Sequence, residues 1–326
     1  MEKGYDIEAT VCMLIFSIQR GKPMKIIDVH THLGNILYPN GRELIYQKGI
    51  VKKAVNDPQD LNERLLMRNF GLGKLIYRLT HNSTTRAQVV RGMTATLENM
   101  RQSMADNKVN YHVCMPIAPY LTFEDLLEAS EQEPRIIPFT SIDFTRPHDI
   151  GAKLKQDVTR GARGLKLHPV IQCQSVRDAP TMEALQSFQH LRKPVLPHTG
   201  PSAYYLGSET DRNRPENGAV KEIIHMVRTF PKIPFIIGHA GLFWVHEIRK
   251  SLGDCQNVWV DTSFQSPGNI RKLIKTFGPE KVMYASDWPW GSQGPHIKTV
   301  QVACKGDQQL AERLFFQNAK ELLELE

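Results

Sequence analysis

Cysteine is scarce and unpatterned in this 326-residue chain. The five residues, Cys12, Cys114, Cys173, Cys255 and Cys304, lie far apart and form no CxxC pair. An odd, scattered set excludes a disulfide framework and cysteine-rich zinc modules, and it fits a reducing compartment. Long apolar runs are also missing. The best candidate, residues 11–18, is too short to span a bilayer, and it lacks the basic start and small-residue cleavage site of a signal peptide. A cytoplasmic protein with no membrane association is expected. The net charge is +7, yet Lys and Arg form only short clusters such as Lys52-Lys53 and Arg271-Lys272. Zinc-finger spacing, RNA-binding aromatic motifs and a basic helix are absent, so a nucleic-acid partner is not expected. A positive field that steers an acidic small molecule fits the charge better. There is no internal repeat and no low-complexity tract.

What is present is an ordinary globular composition, 41% hydrophobic and 23% charged, enough for a large core. From residue 25 onward, short β-rich runs alternate with longer helical stretches, as in βαβ units around a parallel sheet. The runs are near-continuously apolar, as for strands buried on both faces. They fall at residues 25–29, 111–115, 136–141, 164–167, 194–197, 234–237, 258–261 and 282–285. Helical patterns occupy 85–107, 182–191, 218–229, 268–277 and 310–325. Eight strands, each followed by helix, predict an α/β fold of the (β/α)₈ TIM-barrel type, one domain over residues 24–326. Residues 1–23 read as an N-terminal appendage. The long connection 34–84 reads as an insertion at the barrel rim, helical over 57–66 and broken at Gly71 and Gly73. It serves as a lid over the mouth or as a dimer-contact surface, so a homodimer stays open.

The chemistry-bearing residues sit where strands end. His30 and His32 directly follow Val29, and alternate residues of an extended segment share a face. His198 follows Pro197, His239 follows Gly238, and Asp287 follows Ser286. In a barrel these C-terminal strand ends converge on one face. Singly, a histidine there is a polar rim residue and an aspartate a helix cap. Jointly, His30, His32, His198 and Asp287 form a ligand set for one divalent metal, with Zn²⁺ favoured and Mn²⁺, Fe²⁺ or Co²⁺ as substitutes. Asp287 can also accept a proton from water, which leaves His239 as the neighbouring acid, base or oxyanion stabiliser. Lys166 and His168, near the end of the fourth strand, are candidates for contact with a substrate. So are Trp288 beside Asp287 and Arg212 and Arg214 in the polar loop after His198; an arginine there can clamp an anion bidentately. Ser263, after Asp261-Thr262, lines the rim of the seventh strand.

The ordered motifs IDVHTH, GLKLHP, PVLPHTG, IIGHAG, VDTSF, YASDWPWG and NAKELLEL resemble the amidohydrolase-related branch (amidohydrolase family 2) of the metal-dependent amidohydrolase superfamily. The resemblance runs from residue 25 to the C-terminus and omits the first two dozen residues and the 34–84 insertion. It implies metal-binding histidines at positions 30, 32 and 198, a functional histidine at 239 and an aspartate at 287. The superfamily sometimes bridges two metals with a carboxylated lysine after the fourth strand. Lys166 lies near that place, but its GLKLHP setting resembles that of mononuclear members. The implied activity is hydrolysis of a small amide, ester or lactone by metal-activated water. The same branch contains nonoxidative decarboxylases of aromatic and muconic acids. A vestigial binding protein is disfavoured by the complete ligand set.

Overall fold

The computed structural model describes residues 24–68 and 72–326. The expected N-terminal appendage and Gly71 therefore lie outside the described residues. Eight parallel strands follow one another in chain order: β1 Ile27–Thr31, β2 Tyr111–Cys114, β3 Ile136–Pro138, β4 Leu165–Leu167, β5 Val195–Pro197, β6 Phe235–Ile237, β7 Val258–Asp261 and β8 Val282–Met283. All eight lie within or beside the apolar runs seen in the sequence. Hydrogen-bonded pairing joins β1 to β3 and β4 to β8 as two arcs. Two seams complete the ring. At the first, Thr140 N bonds Gly164 O and Lys166 N bonds Thr140 O. At the second, Val29 N bonds Tyr284 O, Asp287 N bonds His30 O, and His32 N bonds Trp288 O. The molecule is a TIM-type barrel. Ile27, Val29, Val113, Phe139, Leu196, Ile236 and Met283 fill its interior. A larger apolar layer lies between the strands and the surrounding helices.

Strand alternation decides which side chains enter the mouth. On β4, Leu165 and Leu167 pack outward in the helix layer, so Lys166 points inward. On β1, the pairing with β2 shifts register between Asp28 and Thr31. This bulge lets both Val29 and His30 face inward, while Asp28 turns outward to Ser286 and Gln293. A regular strand would have sent the two histidines to the outer face.

The connection after β1 is more structured than the sequence suggested. It holds helices α1 Gly41–Ile45, α2 Pro58–Arg64 and α3 Gly73–Gly92. The expected single helix over 85–107 is two helices. Thr96 ends the link between them, its hydroxyl capping the helix Leu97–Asn107 at Asn99 N. The C-terminal helix is likewise interrupted, with a π-turn at Arg313–Gln317. Arg91, near the end of α3, ties the insertion to the barrel. Its guanidinium donates to Asp57 at 2.6 Å, to Glu63 at 3.0 Å and to the Trp290 carbonyl at 2.8 Å. Glu63 in turn accepts from Ser292 N at 2.9 Å. Tyr38 reaches Glu209 across the rim at 2.9 Å. No described helix is long and apolar enough to cross a membrane.

Removing one partner of a buried ion pair leaves the other charge stranded. Arg91→Met should therefore destabilise the fold by about 3 kcal/mol and open the insertion. Thermal unfolding measures the first effect, and limited proteolysis between residues 51 and 79 the second.

Candidate metal centre

Every candidate at the strand ends is buried. His30, Lys166 and Asp261 are fully covered, and Asp287, the most exposed of the group, is only 6% accessible. Burying this many polar atoms is costly unless each has a partner, so their hydrogen bonds reveal what the centre is built to hold.

The His30 Nδ1–H donates to Asp261 Oδ2 at 2.9 Å, which leaves a lone pair on Nε2. The His32 Nδ1–H donates to the Met115 carbonyl at 3.0 Å, which again frees Nε2. Ser263 Oγ donates to Asp261 Oδ1 at 2.6 Å, so it accepts from His239 Nδ1–H at 2.7 Å, and His239 Nε2 carries a lone pair. The His198 Nε2–H faces the Gly200 carbonyl at 3.1 Å and Ser202 Oγ at 3.1 Å, which leaves Nδ1 free. That Nδ1 lies 3.3 Å from His239 Nε2. Two lone pairs facing at this distance need a cation between or beside them. Asp287 Oδ1 is buried without a hydrogen-bond partner, 3.5 Å from His30 Nε2 and 3.4 Å from His32 Nε2. Against these lone pairs stands the Lys166 ammonium, 2.8 Å from His30 Nε2.

The potential ligand atoms of His30, His32 and Asp287 all lie within 4.8 Å of one another, and so do those of His30, His239 and Asp261. His198 belongs to neither triad but adjoins the second through His239. Burial holds His30, His32 and His239 well below the ordinary imidazole range, and the Lys166 charge pushes each the same way. Burial likewise sets His198 at about 3. These histidines are neutral and carry lone pairs, the form in which imidazole binds metal. Burial raises Asp287 far above the carboxylate range, opposed by Lys166. Lys166 falls to about 8 through burial, opposed by Asp287 and Asp261.

The backbone is strained at two of these positions. His239 has φ 55° and Asp287 has φ 61°, left-handed values uncommon outside glycine. Asp28 secures the second. Its carboxylate accepts from Ser286 N at 2.9 Å, from Ser286 Oγ at 2.5 Å and from Gln293 Nε2 at 3.1 Å. Held in this apolar layer, Asp28 is pushed up to about 6 by burial.

The remaining candidates divide. Lys166 lies in the centre. His168 stacks on His198 at 4.1 Å between ring centroids, but its own nitrogens are engaged by Ile171 N and the Tyr204 hydroxyl. Arg212 is stacked on Tyr205 and bonded to Glu209, the Leu37 carbonyl and the Tyr120 hydroxyl. Arg214 bonds the Asp211 and Asn213 carbonyls. Both arginines therefore brace the loop after β5 and do not join the cluster of lone pairs. Trp288 packs beside His112, whereas Trp290 lies against His32 at 4.8 Å. The residue missed by sequence reasoning is Asp261. Its signal in the sequence is the same as that of Asp287, a carboxylate at a strand end.

A family model described as amidohydrolase matches residues 27–325, and the chain belongs to that family of enzymes. No curated protein sequence matches it. Solved structures show the fold. An uncharacterized TIM-barrel protein from Bordetella bronchiseptica is 16% identical, covers 92% of this chain and 99% of its own, and has a TM-score of 0.62. A 5-carboxyvanillate decarboxylase from Novosphingobium aromaticivorans, complexed with manganese and 4-hydroxy-3-methoxy-5-nitrobenzoic acid, is 14% identical over 93% of this chain and 97% of its own, with a TM-score of 0.59. A "probable 2-pyrone-4,6-dicarboxylic acid hydrolase" from Acinetobacter baumannii with citric acid bound is 13% identical over 92% and 100%, with a TM-score of 0.55.

Asp261 sets the tautomer of His30 and, through Ser263, that of His239. A carboxylate behind a metal-binding imidazole typically contributes 10–100-fold to affinity. Asp261→Asn should thus weaken divalent-metal binding by roughly 10–100-fold while keeping the fold. Competition against a chromophoric chelator reads the change; unaltered affinity would give Asp261 a packing role alone.

Proposed function

We propose that the chain is a metal-dependent hydrolase of a small anionic amide, ester or lactone. The observation that carries this reading is the convergence of five buried lone pairs, on His30, His32, His198, His239 and Asp287, with Lys166 as the one ammonium among them. Such a set fits a borderline divalent ion, with zinc first and manganese, iron or cobalt as substitutes. His30, His32 and Asp287 hold it, with His198 completing the set from β5. When bound, the ion supplies Lewis acidity and brings the pKa of a bound water toward 7.

The chain's own residues do the rest. Asp287 would be ionised by a cation held beside its unpartnered oxygen, and in that form it takes the proton from the attacking water. His239 holds a free lone pair on Nε2, so it first takes up a proton there and then delivers it to the leaving group or, once protonated, stabilises the developing oxyanion. Lys166 offers a cation to a substrate carboxylate. Its lowered pKa, about 8, keeps a neutral fraction within reach of physiological pH. Since no group of the centre exceeds 6% exposure, substrate enters only when the covering rim moves.

The same burial supports a second reading, nonoxidative decarboxylation of an aromatic or muconic-type acid. A water-poor site favours loss of CO₂ from a desolvated carboxylate and disfavours attack by water. In that reading the Lys166 ammonium, or His239 once it has taken up a proton on Nε2, protonates the carbon. A screen of small amides, lactones and aromatic acids that reads both acid release and CO₂ release separates the two reactions.

Elemental analysis of purified protein should give close to one equivalent of transition metal per chain. Full activity in metal-free protein would overturn the proposal, and a stoichiometry near two would make Lys166 a carboxylated bridge. His239→Asn should keep most of the metal and lose about 10²–10⁴-fold in rate. Asp287→Asn should lose comparable activity and also retain metal poorly. If His239→Asn strips the metal as fully as His198→Asn does, His239 is a ligand.

A further inference from the structure

Among the described residues, the exposed large hydrophobic side chains are confined to one short stretch of the rim insertion. They are Val51, Val55, Leu61, Leu65, Leu72, Leu75, Ile76 and Leu79. Leu79 is 76% exposed and Leu61 is 61% exposed. Their spacing is helical. Leu61 and Leu65 are four apart at the end of α2, and Leu72, Leu75, Ile76 and Leu79 fall at the i, i+3, i+4, i+7 positions of one stripe at the start of α3. The two helices pack together. Farther along α3, Thr84, Thr85 and Ala87 are buried against the barrel. The same helix thus packs its second half on the barrel and turns a leucine stripe outward in its first half.

The charge of the molecule is concentrated on the same stretch. Residues 48–92 hold nine Lys and Arg against three Asp and Glu, which accounts for +6 of the chain's +7. The three acids are also consumed. Asp57 and Glu63 turn inward onto Arg91, and Asp60 pairs with Arg64 at 2.6 Å. What faces outward is an apolar stripe flanked by Lys52, Lys53, Arg68 and Arg78, all exposed.

We propose that this face docks the enzyme onto an anionic phospholipid surface. Leucines flanked by lysine and arginine, with Asp60 the one half-exposed acid and paired to Arg64, match a surface that is apolar below and negative at its headgroups. The face spans nothing; it lies on the surface. A second copy fits less well, because a two-fold interface sets a patch against itself and here would oppose like charges. The face adjoins the barrel mouth. Lys74 sits 4.3 Å above the Trp244 ring, Tyr77 packs on Phe243, and Trp290 Nε1 donates to the Gln88 carbonyl of α3. Docking by α2 and α3 therefore brings the covered mouth close to the lipid surface.

Co-sedimentation of the full chain with vesicles tests this. The protein should pellet with phosphatidylcholine vesicles containing about one third phosphatidylserine, not with phosphatidylcholine alone, and added salt should release it. The double substitution Arg68→Gln and Arg78→Gln should lower partitioning about 30-fold, at about 1 kcal/mol for each cation. Leu75→Ser with Leu79→Ser should abolish it, while both variants keep wild-type circular dichroism and metal content. Absence of binding to anionic vesicles overturns the proposal. So does a concentration-dependent dimer, abolished by the leucine pair, in a protein that ignores vesicles; that result assigns the face to a second copy.

Discussion

The mouth of this barrel holds an ammonium, two carboxylates and four imidazoles in a space that water barely reaches. An isolated buried charge costs several kcal/mol, so each of these groups persists only because something answers it. Asp261 answers four protein groups at once, and Asp28 answers the β8 end through Ser286. Within the mouth, what is left unanswered is equally specific: the Asp287 oxygen and the facing nitrogens of His198 and His239. Behind the histidines of the centre the supporting bonds are made, and the shortfall within the mouth is gathered at its middle. That distribution is how a protein pre-organises a place for a positive ion.

The constraint reaches outward through the backbone. His30 enters the mouth only because β1 bulges between Asp28 and Thr31. The same bulge frees Asp28 to face the opposite side, where it holds Ser286 and so fixes the strained turn at Asp287. Two strand ends, joined by a bond between residues 258 apart along the chain, are therefore set by a single carboxylate. On the far side of the turn, the Trp290 carbonyl and Ser292 amide are bound by Arg91 and Glu63. The insertion is thus braced against the loop that carries Asp287. A displacement of the rim acts directly on the walls of the centre, which is the coupling that an enzyme with a buried site requires.

Near-continuous apolar runs at intervals announced the eight strands, because a strand buried on both faces has no polar face to alternate with. The strand-end positions of His30, His32, His198, His239 and Asp287 were legible for the same reason: the end of an apolar run marks where a barrel strand reaches the mouth. The helix limits near residues 93–96 were less so, since Thr96 caps a new helix inside what reads as one amphipathic pattern. Trp288 and Trp290 could not be ranked from sequence. Which indole lies on His32 depends on the turn that follows Asp287.

The sequence by itself determined the fold class, the family and the short roll of groups able to do chemistry, because periodicity and residue type are local properties. Only the tertiary structure decided what those groups do to one another. Hydrogen bonds between residues hundreds of positions apart assign each tautomer, and so decide which nitrogen keeps a lone pair. Asp261 illustrates the division. As a letter at a strand end it was one acid among many; in space it orients His30 and, through Ser263, His239. Arg212 and Arg214 are the converse case. Their charge suggested an anion clamp, and their neighbours, the carbonyls and hydroxyls of their own loop region, occupy their donors. Spacing along a chain shows which side chains are available, while the competition among their partners is settled only in three dimensions.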